Sequence, residues 1–477
     1  MALRRKKKTT DIQARFLKAM ANGKLQARMA HVRKAYFTKQ IGTPMSAEED
    51  TKRARNTAMR RNSLNQLSDL LTAFEGQAKS NGVEVHWAET PEDAHTLIRS
   101  LTLDHVTDDS PLFVQPAPIL HEIELNQFLK ERYINTITTH LGGYYTQLQN
   151  LDSDHPVHFG MHATQDQLLK VVGKALTDDH TIEATEDGKI KDIEMLSRAY
   201  TTAIERSIND TSIFLTGVNF VIKDTGQLCI AHSSDTARAV ASRCHTLIAV
   251  VGLEQVLHSI EDLPAMISAW SEKALGKAMP PSLNLVGGPK QFGQLDGPEN
   301  VHVILLDNDR SITWEDDELR QRLQCIQCGA CHFTCPVTNA VGSQAYPSSQ
   351  TGPNGAIMHA VQQGLSASHQ LIHASSLCGL CQDGCPVDVP IPYLLQRLRR
   401  DTVNPVKDNQ VPLPDQGFAE SDRDEKRLKR AIQIVQSPFL SNLFNGIWKR
   451  YPNAFSQWQL PNRRLLSQWH NDRKIED

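Results

Sequence analysis

Seven of the nine cysteines in this chain of 477 residues fall between Cys325 and Cys385, and their spacing limits the fold more than any other feature. The first group is Cys325-x2-Cys328-x2-Cys331-x3-Cys335-Pro336. In such a run three closely spaced thiolates hold one iron-sulfur cubane and the fourth turns away to another. The second group, Cys378-x2-Cys381-x3-Cys385-Pro386, ends in the same way. The natural pairing is interleaved, with Cys325, Cys328, Cys331 and Cys385 on cluster one and Cys335, Cys378 and Cys381 on cluster two. Two [4Fe-4S] clusters are therefore expected, the second with three cysteine ligands and open to a [3Fe-4S] form when oxidised.

The gaps explain the chemistry. An x2 gap lets successive sulfurs curl round one corner of a cubane while the amides between them point at its bridging sulfides. Proline fixes its own φ and disfavours helix at the residue before it, so Cys335 and Cys385 leave their loops in an extended direction and reach the other cluster. Zinc fits poorly, since it takes four ligands per site in two separated pairs and seven thiols at these gaps do not divide that way. Disulfides fit worse. The thiol count is odd and no secretory signal is visible, which points to a reducing, cytoplasmic setting. Laying the first spacing backward from Cys385 gives Cys381, Cys378 and then Ser375, so serine stands where a full second motif would place cysteine.

Charge is unevenly placed. Net charge is -3, but residues 1-62 carry 17 Lys/Arg against 4 Asp/Glu, about +13, which leaves about -16 for the remainder. The head, residues 1-64, reads as a basic, partly helical arm opening with Arg4 to Lys8 and continuing through Ile12, Phe16, Leu17 and Met20. Anionic lipid would suit it, as would a transit-peptide role, and peripheral contact with the inner face of a membrane stays open. No aromatic interleaving or groove-reading motif accompanies the charge, so nucleic acid is not expected. The plainer reading is an arm that docks on a partner or on the acidic remainder of the chain. No apolar run reaches the length of a spanning helix.

Between about residues 65 and 310, strand-like and helix-like stretches alternate, as in an α/β domain. Residues 83-87 alternate as a strand, and Thr90-Pro91 then supplies an N-cap and a first-turn proline for a helix through Leu101. Thr164 and Gln167 form a capping box for a second helix, and residues 191-207 give a third. A strand from Phe214 to Ile222, a turn at Asp224-Thr225-Gly226 and a strand from Leu228 to Ala231 follow. Leu247-Val251 and Val301-Leu306 are continuous apolar runs suited to buried parallel strands.

This region shows no nucleophile-base pair and no nucleotide-binding fingerprint, so a flavin or nicotinamide, if used, belongs to another subunit. His155, His158 and His162 read as polar loop histidines because Pro156 interrupts any helix that would align them. Cys229 and Cys244 read as core thiols. Gly287-Gly288-Pro289 reads as a turn.

Residues 311-402 read as an α-helical, two-cluster ferredoxin domain. A capping pattern at Thr313 to Asp316 starts a helix carrying Leu319 and Leu323 into Cys325. Pro353 to Gln363 is a helix that Gly364 ends, and Tyr393 to Arg400 is another with a basic end. Residues 403-477 read as a polar tail, with Trp448, Trp458 and Trp469 widely spaced, that wraps or docks.

Asp296-Gly297-Pro298-Glu299, Val303 to Asp307-Asn308 with Arg310-Ser311, the Cys325-Ile326-x-Cys328 loop and Ala374 to Gly379 together resemble the lactate-utilisation protein B family over roughly residues 80-400. His232 to Asp235 stands where that family carries Asn-Glu-Gly-Asn, and Leu112 to Leu120 lacks its lysine- and serine-rich approach. The resemblance implies a LUD domain related to the CoA-transferase-like α/β fold, followed by the helical two-cluster module. It further implies an electron-transfer subunit, itself without catalytic residues, of a complex that oxidises L-lactate to pyruvate with two partner subunits. The same relay serving a heterodisulfide- or glycolate-type oxidoreductase is the alternative within redox chemistry. A regulatory ligand-binding protein with structural clusters is the alternative outside it.

Overall fold

None of the side chains of Thr246–Gly252 is open to water, and this strand is the axis of the α/β domain. Val, Ile and Leu fill it because a strand flanked on both edges and covered on both faces gains about 1.5 to 3 kcal/mol per buried side chain. The computed structural model describes residues 11–40, 47–105, 111–151, 155, 157–178, 190–209, 212–232, 235–347 and 349–403. Arg4 to Lys8 and the tail from residue 404, with its three tryptophans, lie outside the described residues.

The strands are β1 (Glu84–Ala88), β2 (Leu112–Val114), β3 (Ile137–Thr138), β4 (Ile213–Gly217), β5 (Phe220–Ile222), β6 (Gln227–His232), β7 (Thr246–Gly252), β8 (Val256–Leu257), β9 (Ser282–Val286) and β10 (Asn300–Leu306). Six of them form a wholly parallel sheet in the order β1-β10-β7-β4-β2-β3. The other four form a mixed sheet, β8-β5-β6-β9. This is the α/β architecture expected, with the buried runs at 247-251 and 301-306 adjacent and parallel.

Several helices start where side-chain caps dictate. Thr90 Oγ1 accepts from the Asp93 amide at 3.2 Å and Asp93 Oδ2 accepts from the Thr90 amide at 3.0 Å, opening Pro91–His105. Thr164 and Gln167 reciprocate in the same way ahead of Gln165–Asp178. Asp192 caps Ile193–Ser207.

Other elements differ from the expectation. Phe214 to Ile222 is not one strand: it breaks at Val218-Asn219, where the chain leaves the parallel sheet for the mixed one. Asn219 makes the crossing possible by accepting the Ala231 amide on its Oδ1 at 2.8 Å. Thr313 does not cap the approach to Cys325, since it lies inside the helix Arg310–Glu315. Asp316 does so instead, accepting the Glu318 and Leu319 amides at 3.0 and 2.9 Å ahead of the 3-10 turns Leu319–Gln324. Gly364, at φ 83°, ends Gly352–Gln363 as expected, but it also opens a further helix, Leu365–His373.

The basic head is helical and seated. Its helices are α1 (Ile12–Met20), α2 (Gly23–Gln40) and α3 (Ala47–Asn65), followed by α4 (Leu67–Ser80). α4 buries Leu67, Leu70, Leu71, Phe74 and Ala78, one apolar stripe at helical spacing. In α1 the Arg15 side chain donates to the carbonyls of Gln344 and Tyr346 at 2.9 and 2.7 Å. In α3 Arg60 is fully buried, and donates to the carbonyls of Leu323, Gln324, Glu254 and Val256 at 2.5 to 3.3 Å. These contacts dock the described helices of the head on the remainder of the chain. No helix among the described residues is long and apolar enough to cross a membrane.

Candidate iron-sulfur centre

The first cysteine loop lies against the carboxyl ends of β7 and β10, where open parallel sheets place their functional groups. Directly after β7, Gln255 Nε2 donates to the carbonyl of Cys325 at 2.9 Å. Its neighbour Glu254 joins a buried ion network. Arg310, which follows β10, donates from Nε to Glu254 and from Nη1 and Nη2 to the two carboxylate oxygens of Glu122, each at 2.8 Å. Gly252 has to be glycine here, because a Cβ would lie 2.3 Å from Glu254 Oε2 and 2.5 Å from Arg310 Nε. A pocket lined by Gln115, Ile119, Phe159, Asn219, Gln255 and Gln327 opens between the strand ends and this loop.

Within the loop, Gln327 takes left-handed backbone at φ 57°, which brings its amide to Cys325 Sγ at 3.3 Å. Gly329, also left-handed, starts the short helix Ala330–Thr334 carrying Cys331. Cys335 is extended, at φ -73° and ψ 119°, and Pro336 begins the next helix. The proline argument from sequence therefore holds at Cys335. In the second group Val389 donates its amide to Cys385 Sγ at 3.4 Å. Helix Ile391–Val403 follows, burying Ile391, Leu394, Leu395 and Leu398 on one face.

All seven thiols are free, and the fold gathers them. Cys328 lies within electrostatic reach of Cys385 and Cys325, and Cys385 within reach of Cys325. Cys335 lies within reach of Cys378, and Cys381 within reach of Cys335 and Cys378. Cys331 lies within reach of Cys325, Cys328, Cys381 and Cys385. Residues far apart in sequence are thus brought together.

Burial pushes the thiols of Cys328, Cys331 and Cys335 upward, and those of Cys381 and Cys385 up to about 12, with neighbouring thiols adding to the effect. Such groups do not ionise together at neutral pH on their own. A bound iron-sulfur cluster, whose cationic irons would displace these protons to solvent, would hold such thiols as thiolates, so the donor chemistry fits iron-sulfur clusters. Cys229 and Cys244 are also buried, in apolar surroundings that hold both thiols up.

His155, His158 and His162 lie in loop and turn segments as expected, but His155 is buried rather than exposed. His155 is fully buried, its ring 4.8 Å from that of His332 and 4.6 Å from that of Phe333, both residues of the helix between Cys331 and Cys335. His158 joins the same aromatic group. Burial holds His155 well below its ordinary range, and His162 and His332 at about 4 and about 3, so these rings pack as neutral aromatics beside the first loop. His232 is buried between the amide groups of Gln115 and Asn284, at 2.8 and 3.1 Å. Sequence reading did not connect Glu84 and His86 on β1 with His302 on β10, whose potential ligand atoms come together across the parallel pair. Strand alternation alone could have put Glu84 and His86 on one face, but not beside His302.

The LUD domain family matches residues 71–306, and the 4Fe-4S dicluster domain family matches residues 321–389. "Lactate utilization protein B" of Bacillus subtilis (strain 168) is 29% identical over 364 residues, covering 76% of this chain and 73% of that protein. The protein of the same name from Bacillus cytotoxicus is 30% identical over 355 residues, 74% of this chain and 72% of its own. That from Bacillus cereus (strain AH820) is 29% identical over 427 residues and 87% of each chain. A crystal structure of a DUF162 family protein from Deinococcus radiodurans aligns with 50% of this chain and 98% of its own at 16% identity and a TM-score of 0.26, too low to add to the fold drawn above. With an α/β domain, a helical dicluster module and 30% identity across more than two thirds of a relative's length, the chain belongs to the lactate utilization protein B family.

Proposed function

We propose that this chain is the iron-sulfur electron-transfer subunit of an assembly that oxidises L-lactate to pyruvate. What supports the reading is the spacing of the two cysteine groups, together with the nearness of Cys385 to Cys325 and Cys328 and of Cys335 to Cys378 and Cys381. Cys325, Cys328, Cys331 and Cys385 would hold one [4Fe-4S] cluster, and Cys335, Cys378 and Cys381 would hold a second. Bound there, the clusters supply one-electron chemistry, matched to the two electrons that lactate gives up, one at a time.

Each proposed centre has two buried cysteines, Cys328 and Cys385 in one and Cys335 and Cys381 in the other, and Cys378 alone of the seven is exposed. Gln255 and Arg60 hold the approach to the first loop. Cys378 is exposed, and Leu380 beside it is 40% exposed, so the second loop presents a surface on which a partner can dock. Lactate chemistry is assigned to partner subunits, two by family resemblance.

The test is anaerobic pull-down of the full chain from lactate-grown cells, followed by lactate-dependent bleaching of the cluster absorption in the recovered assembly. Bleaching by L-lactate supports the reading. Partners that oxidise another substrate but never lactate would refute it.

A further inference from the structure

The two cysteine loops are one backbone shape built twice. Gln327 and Leu377, neither a glycine, both take left-handed backbone, at φ 57° and 53°, and Gly329 and Gly379 follow at 75° and 87°. Each loop then enters a short helix, Ala330–Thr334 in one case and Leu380–Asp383 in the other. A left-handed non-glycine residue is strained, so its recurrence at matched positions marks a requirement common to both loops.

That correspondence extends to the head of each loop. Cys325 Sγ accepts from the amide of Gln327 at 3.3 Å, and Ser375 Oγ accepts from the amide of Leu377 at 3.2 Å. Both residues are also clamped from outside by their carbonyls, Cys325 by Gln255 Nε2 at 2.9 Å and Ser375 by Arg399 Nη2 at 2.6 Å. Cys328, Cys331 and Cys335 each recur fifty residues later as cysteine, and the same step from Cys325 lands on Ser375.

From this geometry we propose that Ser375 Oγ is the fourth protein ligand of the second cluster, completing the set Cys335, Cys378 and Cys381. The inference rests on the two-cluster reading above. On ligation the Ser375 O–H bond is exchanged for an O–Fe bond and the proton passes to water, with no change in electron count. An oxygen donor holds iron-sulfur iron less firmly than thiolate. The iron at Ser375 is therefore the first to leave: ferricyanide takes one electron, one ferrous ion departs, the serine regains a proton, and a three-iron cluster remains. The harder oxygen donor also favours the oxidised state, placing this cluster at a lower potential than an all-cysteine equivalent.

The test compares the full chain with Ser375→Ala and Ser375→Cys after anaerobic reconstitution with iron and sulfide. Iron analysis, electron paramagnetic resonance and redox titration are the readouts. Wild type is expected to hold about eight irons and Ser375→Ala about seven, the alanine variant showing a three-iron signal before any oxidant is added. Ser375→Cys should keep about eight irons, resist ferricyanide and titrate at a higher second-cluster potential. The proposal is overturned if Ser375→Ala matches wild type in iron content, second-cluster spectrum and potential, since the serine then only caps the turn. Should the alanine variant fail to fold, an unchanged second-cluster potential in Ser375→Cys overturns it equally. Wild type that takes up no iron would instead refute the two-cluster reading itself.

Discussion

Gln255 donates from Nε2 to the carbonyl of Cys325 at 2.9 Å, tying the carboxyl end of the central strand β7 to the head of the first cysteine loop. Gln255 is only 2% exposed, so this bond forms away from competing water. Gln255→Ala should cost about 1 kcal/mol of stability and release iron from the first cluster to a chelator faster, leaving the second cluster's rate unchanged. Anaerobic chelation followed by absorbance resolves the two phases, and equal acceleration of both would show that the bond does not act locally.

The Arg310–Glu122 pair is a buried structural clamp. Burial by itself would raise the Glu122 carboxyl, but Arg310, helped by Arg322 and Asn308, holds it down at about 2. A carboxyl depressed in the folded state contributes stability that is present above its unfolded value near 4.5 and is lost as pH falls toward 2. Glu122→Gln should therefore destabilise by roughly 3 kcal/mol at neutral pH, because it removes one of the two carboxylates that balance the buried Arg310 charge. That difference should shrink at pH 3. Urea unfolding at both pH values measures it.

Arg60 carries a sharper consequence for the basic head than its charge count suggests. Its guanidinium satisfies four carbonyls that become unpaired in Arg60→Met, so a loss of about 3 kcal/mol is expected. Thermal unfolding of the reconstituted chain should show it, with the first cluster lost at the lower transition temperature. An unchanged transition would mean that α3 contributes nothing to holding the loop.

Cysteine substitutions should separate ligand thiols from core thiols. Cys229→Ser and Cys244→Ser are expected to leave about eight irons per chain, whereas Cys328→Ser should lose about half. Iron and labile sulfide analysis decides. Stoichiometric zinc without labile sulfide in the wild-type chain would contradict the cluster assignment.

Much of this architecture was legible in one dimension because it depends on neighbours in sequence. The capping boxes at Thr90 and Thr164 form between residues three apart, and the apolar runs of β7 and β10 announce burial on both faces. The break between β4 and β5 was not legible. Nothing local in Phe214 to Ile222 forbids one long strand, and the crossing at Asn219 depends on an amide offered by Ala231 in β6. The histidines follow the same rule: Pro156 correctly excluded a helix, but only packing against Phe333 makes His155 and His158 part of a buried aromatic group.

At the centre itself, sequence alone determined which thiols are available, that the first loop curls and then extends at Cys335, and that a serine occupies the place of an eighth cysteine. These follow from gap lengths and from proline, whose effects reach only the adjacent residue. Tertiary structure alone decided that Gln255 and Arg60 hold the approach to the first loop and that Cys378 is left at the surface, while the meeting of Cys385 with Cys325 and Cys328 was already suggested by the spacing. Those contacts join residues from tens to hundreds of positions apart, and burial of the shared apolar core, not any local preference, selects them.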